Sequence, residues 1–278
     1  MNRTMIIASN TMNQLQQQLD IISHNIANVD TTGFKKRTTT FSELMYQQFN
    51  NQPNPEKEVG RLTAEGIRQG TGAKLAQAAL VLTQGTLKQT GRDLDVAILD
   101  KRQFFKVLVA DEDGGTSIQL TRDGAFYLSP VGENQIMLVN GSGLPIVDVN
   151  ENIITFGADA KKFTISNNGD FTVQYDNGAQ ETFELGMVSI LRPQFLEQKG
   201  NGLLGMPENV NELGEDVWVD LVGENRTDIQ VAQGALEQSN VDLGKEMTDM
   251  LQVQRSYQFQ ARAISIADQM LGLINGIR

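Results

Sequence analysis

The feature that most constrains the fold is a stripe of apolar residues in the first thirty positions, repeated at steps of three and four. It comprises Met5, Ala8, Met12, Leu15, Leu19, Ile22, Ile26 and Val29. This spacing places the whole stripe on one side of an α-helix, as in a heptad seam. The positions between are mostly Asn, Gln, Ser and Thr, so the other face is polar but almost uncharged. We expect the helix to end within residues 28–33, where turn and C-cap residues follow one another.

The C-terminal part carries a second helical stripe. Its apolar members are Leu243, Met247, Met250, Tyr257, Ala261, Ile264, Leu271 and Ile274, with Gln254 and Asp268 at the two steps that would complete it. We expect this helix to run from about Leu236 to Ile274. At about 1.5 Å per residue the two helices would be about 37 and 58 Å long. Neither helix can bury its own stripe, so both need partners.

Between the two helices the period of the pattern changes to two. Residues 162–166 and 170–175 flank Asn167-Asn168-Gly169, and Asp176-Asn177-Gly178 leads into residues 181–185, which predicts two successive hairpins. Residues 104–110 and 117–121 predict another hairpin. The expected β core contains Phe104, Phe105, Phe126, Phe171, Phe183 and Trp218. The predicted fold class is α+β: N- and C-terminal helices forming a coiled-coil-like module, with a central mainly-β domain of hairpins.

Composition and charge indicate where the chain divides. Residues 1–32 together with 233–278 are expected to form a terminal helical assembly module, and residues 75–232 a β-rich outer domain. Residues 33–74 are expected to be an extended connector, because residues 50–72 are rich in Pro, Asn and Gly. The ends are nearly neutral and the middle carries most of the net charge of −11. We expect an acidic, solvated middle and terminal helices suited to contact with other protein.

The residue inventory excludes several classes of function. The chain has no Cys and a single His, His24, which excludes thiolate chemistry and leaves little room for a zinc site or a serine triad. The negative net charge disfavours nucleic-acid binding and an electrostatic membrane anchor. No apolar run suits a cleavable signal or a membrane span. We therefore expect no enzyme activity, no cofactor, no metal, no nucleic-acid partner and no membrane-spanning segment.

Two short segments imitate ligand-binding motifs. Gly70-Thr71-Gly72-Ala73-Lys74 lacks the Lys-Ser or Lys-Thr that follows the last Gly of a phosphate loop, so we expect an ordinary loop. Asp111-Glu112-Asp113-Gly114-Gly115 lacks the Gly and the final Glu of a calcium loop, and Arg122 stands at the twelfth position. A hairpin turn is expected there.

Both termini resemble one protein family. Ser23-His24-Asn25-Ile26-Ala27-Asn28-Val29-Asp30-Thr31-Thr32-Gly33-Phe34-Lys35 is similar to the N-terminal signature of the bacterial flagellar rod and hook proteins. Residues 233–242, 246–247 and 254–258 resemble the matching C-terminal segment, nearest to the distal rod proteins. Residues 84–91, 94–98, 104–105 and 121–124 resemble the first β segments. The signature residues carried over are Asn25, Ala27, Asn28, Thr32, Gly33, Phe34, Ser239, Asn240, Val241 and Arg255.

The resemblance implies a structural subunit of the flagellar basal-body rod, without an active site. Such a subunit would be exported by the flagellar type III apparatus without a cleaved signal. It would polymerise helically through its terminal helices into the drive shaft for motility. Its partners would be further copies of itself, other rod and hook subunits, and the export apparatus during secretion. The assembly interface would include Met12, Leu15, Leu19, Ile22, Ile26, Leu243, Met247, Met250, Tyr257, Ile264 and Leu271.

The segment Phe41-Ser42-Glu43-Leu44-Met45 is similar to the short Phe-x-x-x-apolar motif that early flagellar substrates present to the export gate. Phe41 and Met45 are therefore candidate export residues, with a plain amphipathic turn as the alternative.

Two alternatives to the rod subunit stay open at this point. A hook or hook-associated adaptor subunit is the neighbouring one, although the length of the chain favours a rod subunit. Asp100-Lys101-Arg102-Gln103 stands where relatives usually have a Gly-rich turn, which leaves the position within the rod open. A β-domain surface adhesin or carbohydrate-binding module belongs to another class. It would keep its function after both helices are removed, whereas a rod subunit would lose it.

Overall fold

The computed structural model describes residues 2–43, 46–49, 67–70, 73–110, 115–132, 134–206 and 217–276. The chain is an α+β protein with a helix at each end and a β-rich middle, as predicted. It divides into two compact units. The first comprises Met1–Ile26, Arg37–Ala79 and Leu243–Arg278, and the second comprises Ala27–Lys36 and Leu80–Asp242. The finer division predicted above, with a connector over residues 33–74, stays a prediction.

The described elements include two α-helices, twenty short strands and two 3-10 helices, Pro193–Phe195 and Gly223–Asp228. The α-helices are α1 (Asn2–Ala27) and α2 (Leu243–Gly276). The strands are β1 (Arg37–Glu43), β2 (Tyr46–Phe49), β3 (Ile67–Gly70), β4 (Ala73–Leu80), β5 (Leu87–Gln89), β6 (Val96–Ile98), β7 (Gln103–Ala110), β8 (Thr116–Thr121), β9 (Tyr127–Pro130), β10 (Gln135–Val139), β11 (Thr155–Gly157), β12 (Ala160–Ile165), β13 (Asp170–Tyr175), β14 (Gln180–Glu184), β15 (Met187–Ile190), β16 (Glu197–Gly200), β17 (Leu203–Gly205), β18 (Trp218–Asp220), β19 (Val231–Gln233) and β20 (Ala235–Glu237).

Helix α1 covers the predicted N-terminal stripe as far as Ile26 and ends at Ala27, one residue before the expected range 28–33, so that Val29 lies in the turn that follows. Thr31 N–H donates to the Asn28 carbonyl at 3.3 Å, and Phe34 N–H donates to the Thr31 carbonyl at 3.3 Å. These two hydrogen bonds close successive turns, through which the chain leaves the helix.

Helix α2 begins seven residues later than the sequence pattern predicts, and the start assigned to Leu236 is wrong. Residues 235–237 instead form β20, which pairs antiparallel with β5, Glu237 lying opposite Leu87. The apolar period alone cannot detect this strand, because Leu236 happens to continue the helical spacing. The backbone pairing and the burial of the Glu237 side chain decide the conformation here.

Four strands accompany the helices in the first unit. β1 pairs with β4, and β2 pairs antiparallel with β3. β1, β2 and β3 lie within the segment predicted to be a connector, whereas β4 extends beyond its end at residue 74. Residues 44–45, 50–66 and 71–72 of that segment, including Met45, lie outside the described residues. The Gly70–Lys74 motif falls partly outside them, and the predicted turn at residues 111–115 almost wholly so.

The second unit is built from antiparallel hairpins. A six-stranded sheet has the order β16-β17-β8-β7-β15-β18, and two three-stranded sheets have the orders β11-β10-β9 and β12-β13-β14. The predicted hairpin β7–β8 and the predicted meander β12–β13–β14 are both confirmed. Two smaller pairs, β6 with β19 and β5 with β20, bring residues 231–237 onto the first part of this unit.

The core of the second unit is aromatic, as the alternation predicts. Phe105, Phe126 and Phe171 are fully buried, and Phe105 meets Phe126 edge-on with ring centroids 5.1 Å apart. Phe104 lies in a second buried cluster, against which Trp218 packs. Edge-to-face pairs of this kind add to the stabilisation from apolar burial.

Candidate assembly site

The segments that continue the two helices lie side by side in the second unit. We name residues 28–36 the N-terminal stem and residues 235–242 the C-terminal stem. Gly33 N–H donates to the Glu237 carbonyl at 2.8 Å, and Asn240 N–H donates to the Phe34 carbonyl at 3.4 Å. The first segment that the chain contributes to this unit and the last one are therefore hydrogen-bonded to each other.

The side chain of Asn240 ties both stems to a third segment. Its Oδ1 accepts from Lys36 N–H at 2.8 Å, and its Nδ2 donates to the carbonyls of Val81 at 2.8 Å and Thr83 at 3.0 Å. An amide can satisfy a backbone donor and backbone acceptors at once, which a carboxylate or an ammonium cannot.

A buried ion cluster, formed by Lys35, Arg122 and Glu237, lies between the stems. Glu237 Oε1 is 2.6 Å from Lys35 Nζ, and Glu237 Oε2 is 2.5 Å from Arg122 Nε. The three side chains are 1–3% exposed. Backbone groups complete the cluster, because Lys35 Nζ donates to the Thr83 carbonyl and Gly85 N–H donates to Glu237 Oε1. One carboxylate therefore serves two cations.

The electrostatics of the ion cluster follow from this imbalance. Burial and, after it, the positive charge of Arg122 lower the pKa of Lys35 to about 8, against the opposing effect of Glu237. Burial also lowers the pKa of Arg122, again opposed by Glu237. Next to the cluster, burial raises the pKa of Asp123, while the hydrogen bond from the Thr32 hydroxyl acts in the opposite direction. The cluster is neutralised only in part, which makes its one carboxylate indispensable.

In the first unit, Asn25 links the two helices. Its side chain is 1% exposed, donates from Nδ2 to the Arg37 carbonyl at 2.9 Å and accepts from Arg37 N–H at Oδ1 at 3.1 Å. The same Nδ2 donates to Glu246 Oε2 on α2 at 3.1 Å. Further along, residues 5, 6, 9 and 10 of α1 line a shallow groove together with Ile264 of α2. These two contacts indicate that α1 and α2 run antiparallel.

The residues expected at the assembly interface differ in exposure. In α1, Ile22 is buried and the others are partly buried: Met12, Leu15, Leu19 and Ile26. In α2, Met250, Tyr257, Ile264 and Leu271 are partly buried. We name the side of α2 on which Val253 and Ala267 are buried the inward face. Leu243 and Met247 are 41% and 50% exposed, so they do not belong to it.

Helix α2 has a second apolar face that the single stripe predicted from the sequence does not include. It comprises Leu251, Phe259, Ile266, Met270 and Leu273, each 44–69% exposed, and lies roughly opposite the inward face. We name it the outward face. Its spacing of eight, seven, four and three is also helical and could have been found by searching for two stripes instead of one. A helix that is apolar on opposite sides is typical of a helix with protein on both sides.

Comparison with known proteins identifies the family. Residues 232–277 match the family described as flagellar basal body rod FlgEFG protein C-terminal, and residues 5–35 match the flagella basal body rod protein family. The chain is 42% identical to the flagellar hook-basal body complex protein FlhP of Bacillus subtilis, with 100% of both chains covered. It is 33% identical to the flagellar basal-body rod protein FlgG of Agrobacterium fabrum, with 98% of both chains covered. It is 30% identical to FlgG of Bacillus subtilis, covering 98% of this chain and 97% of the relative. The chain belongs to the flagellar basal-body rod protein family.

The two matched segments of this rod-family chain meet at the stems. The first match ends at Lys35 and the second includes Glu237, so each contributes one partner of a buried ion pair. Other signature residues make local bonds: Thr31 Oγ1 donates to Asn28 Oδ1, and Val241 N–H donates to the Ser239 hydroxyl. Ala27 is exposed, and exposed Arg255 lies beside the outward face near Leu251.

The candidate export residues are only half described. Phe41 lies on β1 and is 43% exposed, whereas Met45 lies outside the described residues. Phe41 therefore lies on a strand rather than on the amphipathic turn considered as the alternative.

Two further properties concern the part of the chain that the structure describes. Neither helix there contains an apolar stretch long enough to cross a bilayer. No three His, Asp or Glu side chains among those residues are grouped closely enough to hold a metal ion.

Proposed function

We propose that this chain is a non-catalytic structural subunit of the flagellar basal-body rod. The observation that carries the proposal is the end-to-end relationship to proteins named as basal-body rod proteins. The outward face of α2 supports it, because a polymer subunit must leave apolar surface free for its neighbours.

In this proposal α1 and α2 form a coiled-coil-like module through which copies polymerise helically, and residues 75–232 are the β-rich outer domain. The two partly buried helix stripes and the antiparallel contacts through Asn25 and Ile264 support the pairing. The adhesin alternative explains neither the apolar helices nor the family signatures at both ends.

The position of the subunit along the shaft is part of the proposal. A distal-rod position follows from the resemblance of the C-terminal segment. The neighbouring alternative, a hook or hook-associated adaptor subunit, stays open, because the relative with 42% identity is named as a hook-basal body complex protein, a name that covers both positions. Labelling the chain in purified hook-basal bodies and locating the label by electron microscopy distinguishes the two positions.

We further propose that the flagellar type III apparatus exports the chain, with Phe41 as one contact. The exposed Phe41 side chain supports this role. Phe41→Ala should leave the second unit folded and lower secretion of the chain into the medium. Unchanged secretion would remove Phe41 from the export signal.

Leu19→Asp tests the assembly role of α1. The substitution removes an apolar contact worth about 1.5–3 kcal/mol and adds a charge to the interface. The penalty recurs in every subunit, so we expect the variant to be absent from purified basal bodies and the cells to be non-motile. Gln17→Asp, at an exposed position off the stripe, is the matched control. Motile Leu19→Asp cells with complete rods would refute the assembly role of this helix.

A further inference from the structure

The ion cluster joins three parts of the chain that are far apart in sequence. Lys35 belongs to the N-terminal stem, Glu237 to the C-terminal stem, and Arg122 directly follows β8. Lys35 and Glu237 are 202 positions apart, and Arg122 and Glu237 are 115 positions apart. The native position of each stem therefore depends on a charge that another part of the chain supplies.

The two stems differ in what they need. If the C-terminal stem docks alone, Glu237 already has a partner, because Arg122 Nε donates to its carboxylate and Arg122 also donates to the carbonyls of Gln103 and Ile98. The C-terminal stem has independent anchors as well: β20 pairs with β5, and Gln238 N–H donates to the Thr86 carbonyl at 2.9 Å. Its docking leaves no charge without a counter-charge.

The N-terminal stem has no such independence. Without Glu237, docking would bury the Lys35 ammonium beside the Arg122 guanidinium, and among the described residues the Thr83 carbonyl would be its remaining acceptor. Two buried like charges without an anion are strongly unfavourable. The lowered pKa of Lys35 agrees, since the charge of Arg122 contributes to it and Glu237 opposes it.

We propose that Glu237 makes docking of the N-terminal stem conditional on prior docking of the C-terminal stem. Both stems are therefore in place only after the C-terminal stem has docked. The order of docking is a property of the monomer. The benefit of this order rests on the proposed function. A rod subunit that lacks its C-terminal stem, because it was exported or synthesised incompletely, would not present docked stems to the growing polymer.

Hydrogen exchange in the full-length monomer tests the order. Val81 N–H donates to the Lys36 carbonyl at 2.9 Å and reports docking of the N-terminal stem, whereas Gln238 N–H reports docking of the C-terminal stem. In Glu237→Gln we expect exchange at Val81 to accelerate by about tenfold or more. Adding Lys35→Met removes one of the two cations that repel each other. In the double variant the exchange rate of Val81 N–H should therefore lie within about threefold of the wild-type rate.

The matched control is Glu224→Gln, which removes an exposed carboxylate of the same unit and should leave both amides unchanged. Wild-type exchange at Val81 in Glu237→Gln, or no recovery in the double variant, would overturn the proposal. If Glu237→Gln fails to fold, near-ultraviolet circular dichroism of the double variant decides. A folded double variant supports the charge argument, and an unfolded one overturns it. If the wild-type chain were absent from purified basal bodies, the proposed function would be contradicted. The hydrogen-exchange rates of the monomer would still test the order of docking.

Discussion

At Gly33 the backbone leaves no space for a side chain. Its φ is +67°, and an added Cβ would lie 2.5 Å from the carbonyl carbon of Arg122. The close approach holds the N-terminal stem against the residues that follow β8. Gly33 N–H also donates to the Glu237 carbonyl, so the backbone at Gly33 helps to position Glu237 in the ion cluster.

Gly33→Ala should therefore destabilise the second unit by about 3 kcal/mol or more, from left-handed strain and from the clash with fixed backbone. Gly91→Ala is the control, because φ there is +70° but an added Cβ meets nothing within 4 Å. It should cost only the strain of about 1–2 kcal/mol. Urea unfolding measures both, and equal losses would show that the close approach is not limiting.

Lys35 should make stability depend on pH in an alkaline window. Its pKa is about 8 in the folded chain and near 10.5 in the unfolded chain, so between these values the unfolded state binds more protons. Its contribution to stability therefore rises with pH from about 8 to 10.5, by at most about 1.4 kcal/mol per unit. Lys35→Met should lack this increase. Parallel pH profiles of the unfolding midpoint in the two proteins would contradict the expectation.

At the scale of elements, α2 has two different apolar faces. The inward face contains the buried Val253 and Ala267, and the outward face exposes Phe259 to 67%. The inward face is packed in the folded monomer, whereas the outward face is exposed there. Substitutions on the two faces should therefore have different consequences.

Phe259→Ser should change monomer stability by no more than about 0.5 kcal/mol, because the side chain is exposed and Phe and Ser have similar helix propensities. It should nevertheless impair incorporation into basal bodies, which quantitative blotting of purified particles measures. Gln254→Ser, at an exposed position between the two faces, is the control. Normal incorporation of Phe259→Ser would show that the outward face stays solvated in the polymer.

At the scale of the whole molecule, the two units should differ in resistance to proteases. Limited proteolysis of the monomer should remove the terminal helices first, because their apolar faces await partners, and leave a core ending near Asp242. The sequence pattern placed the end of the β-rich domain at residue 232. The ion cluster and the β5–β20 pairing extend protection through the C-terminal stem. Mass spectrometry of the fragments checks this, and equal resistance along the chain would contradict it.

The sequence by itself determined the features that arise from neighbouring residues. The helical period predicted α1 and most of α2, and Asn-Gly turns between alternating segments predicted the β12–β13–β14 meander. The terminal signatures predicted the family that the comparisons show. These features depend on contacts and turns within a few positions, which a pattern records directly.

Tertiary structure alone decided the features that depend on distant partners. The start of α2 moved to Leu243 because residues 235–237 pair with a strand some 150 positions earlier, and no local pattern marks that pairing. Lys35, Arg122 and Glu237 are ordinary charged residues in the sequence and become a site only when folding brings them together in a buried place. Which apolar stripe of α2 turns inward was decided in the same way, since both stripes have helical spacing and only packing distinguishes them.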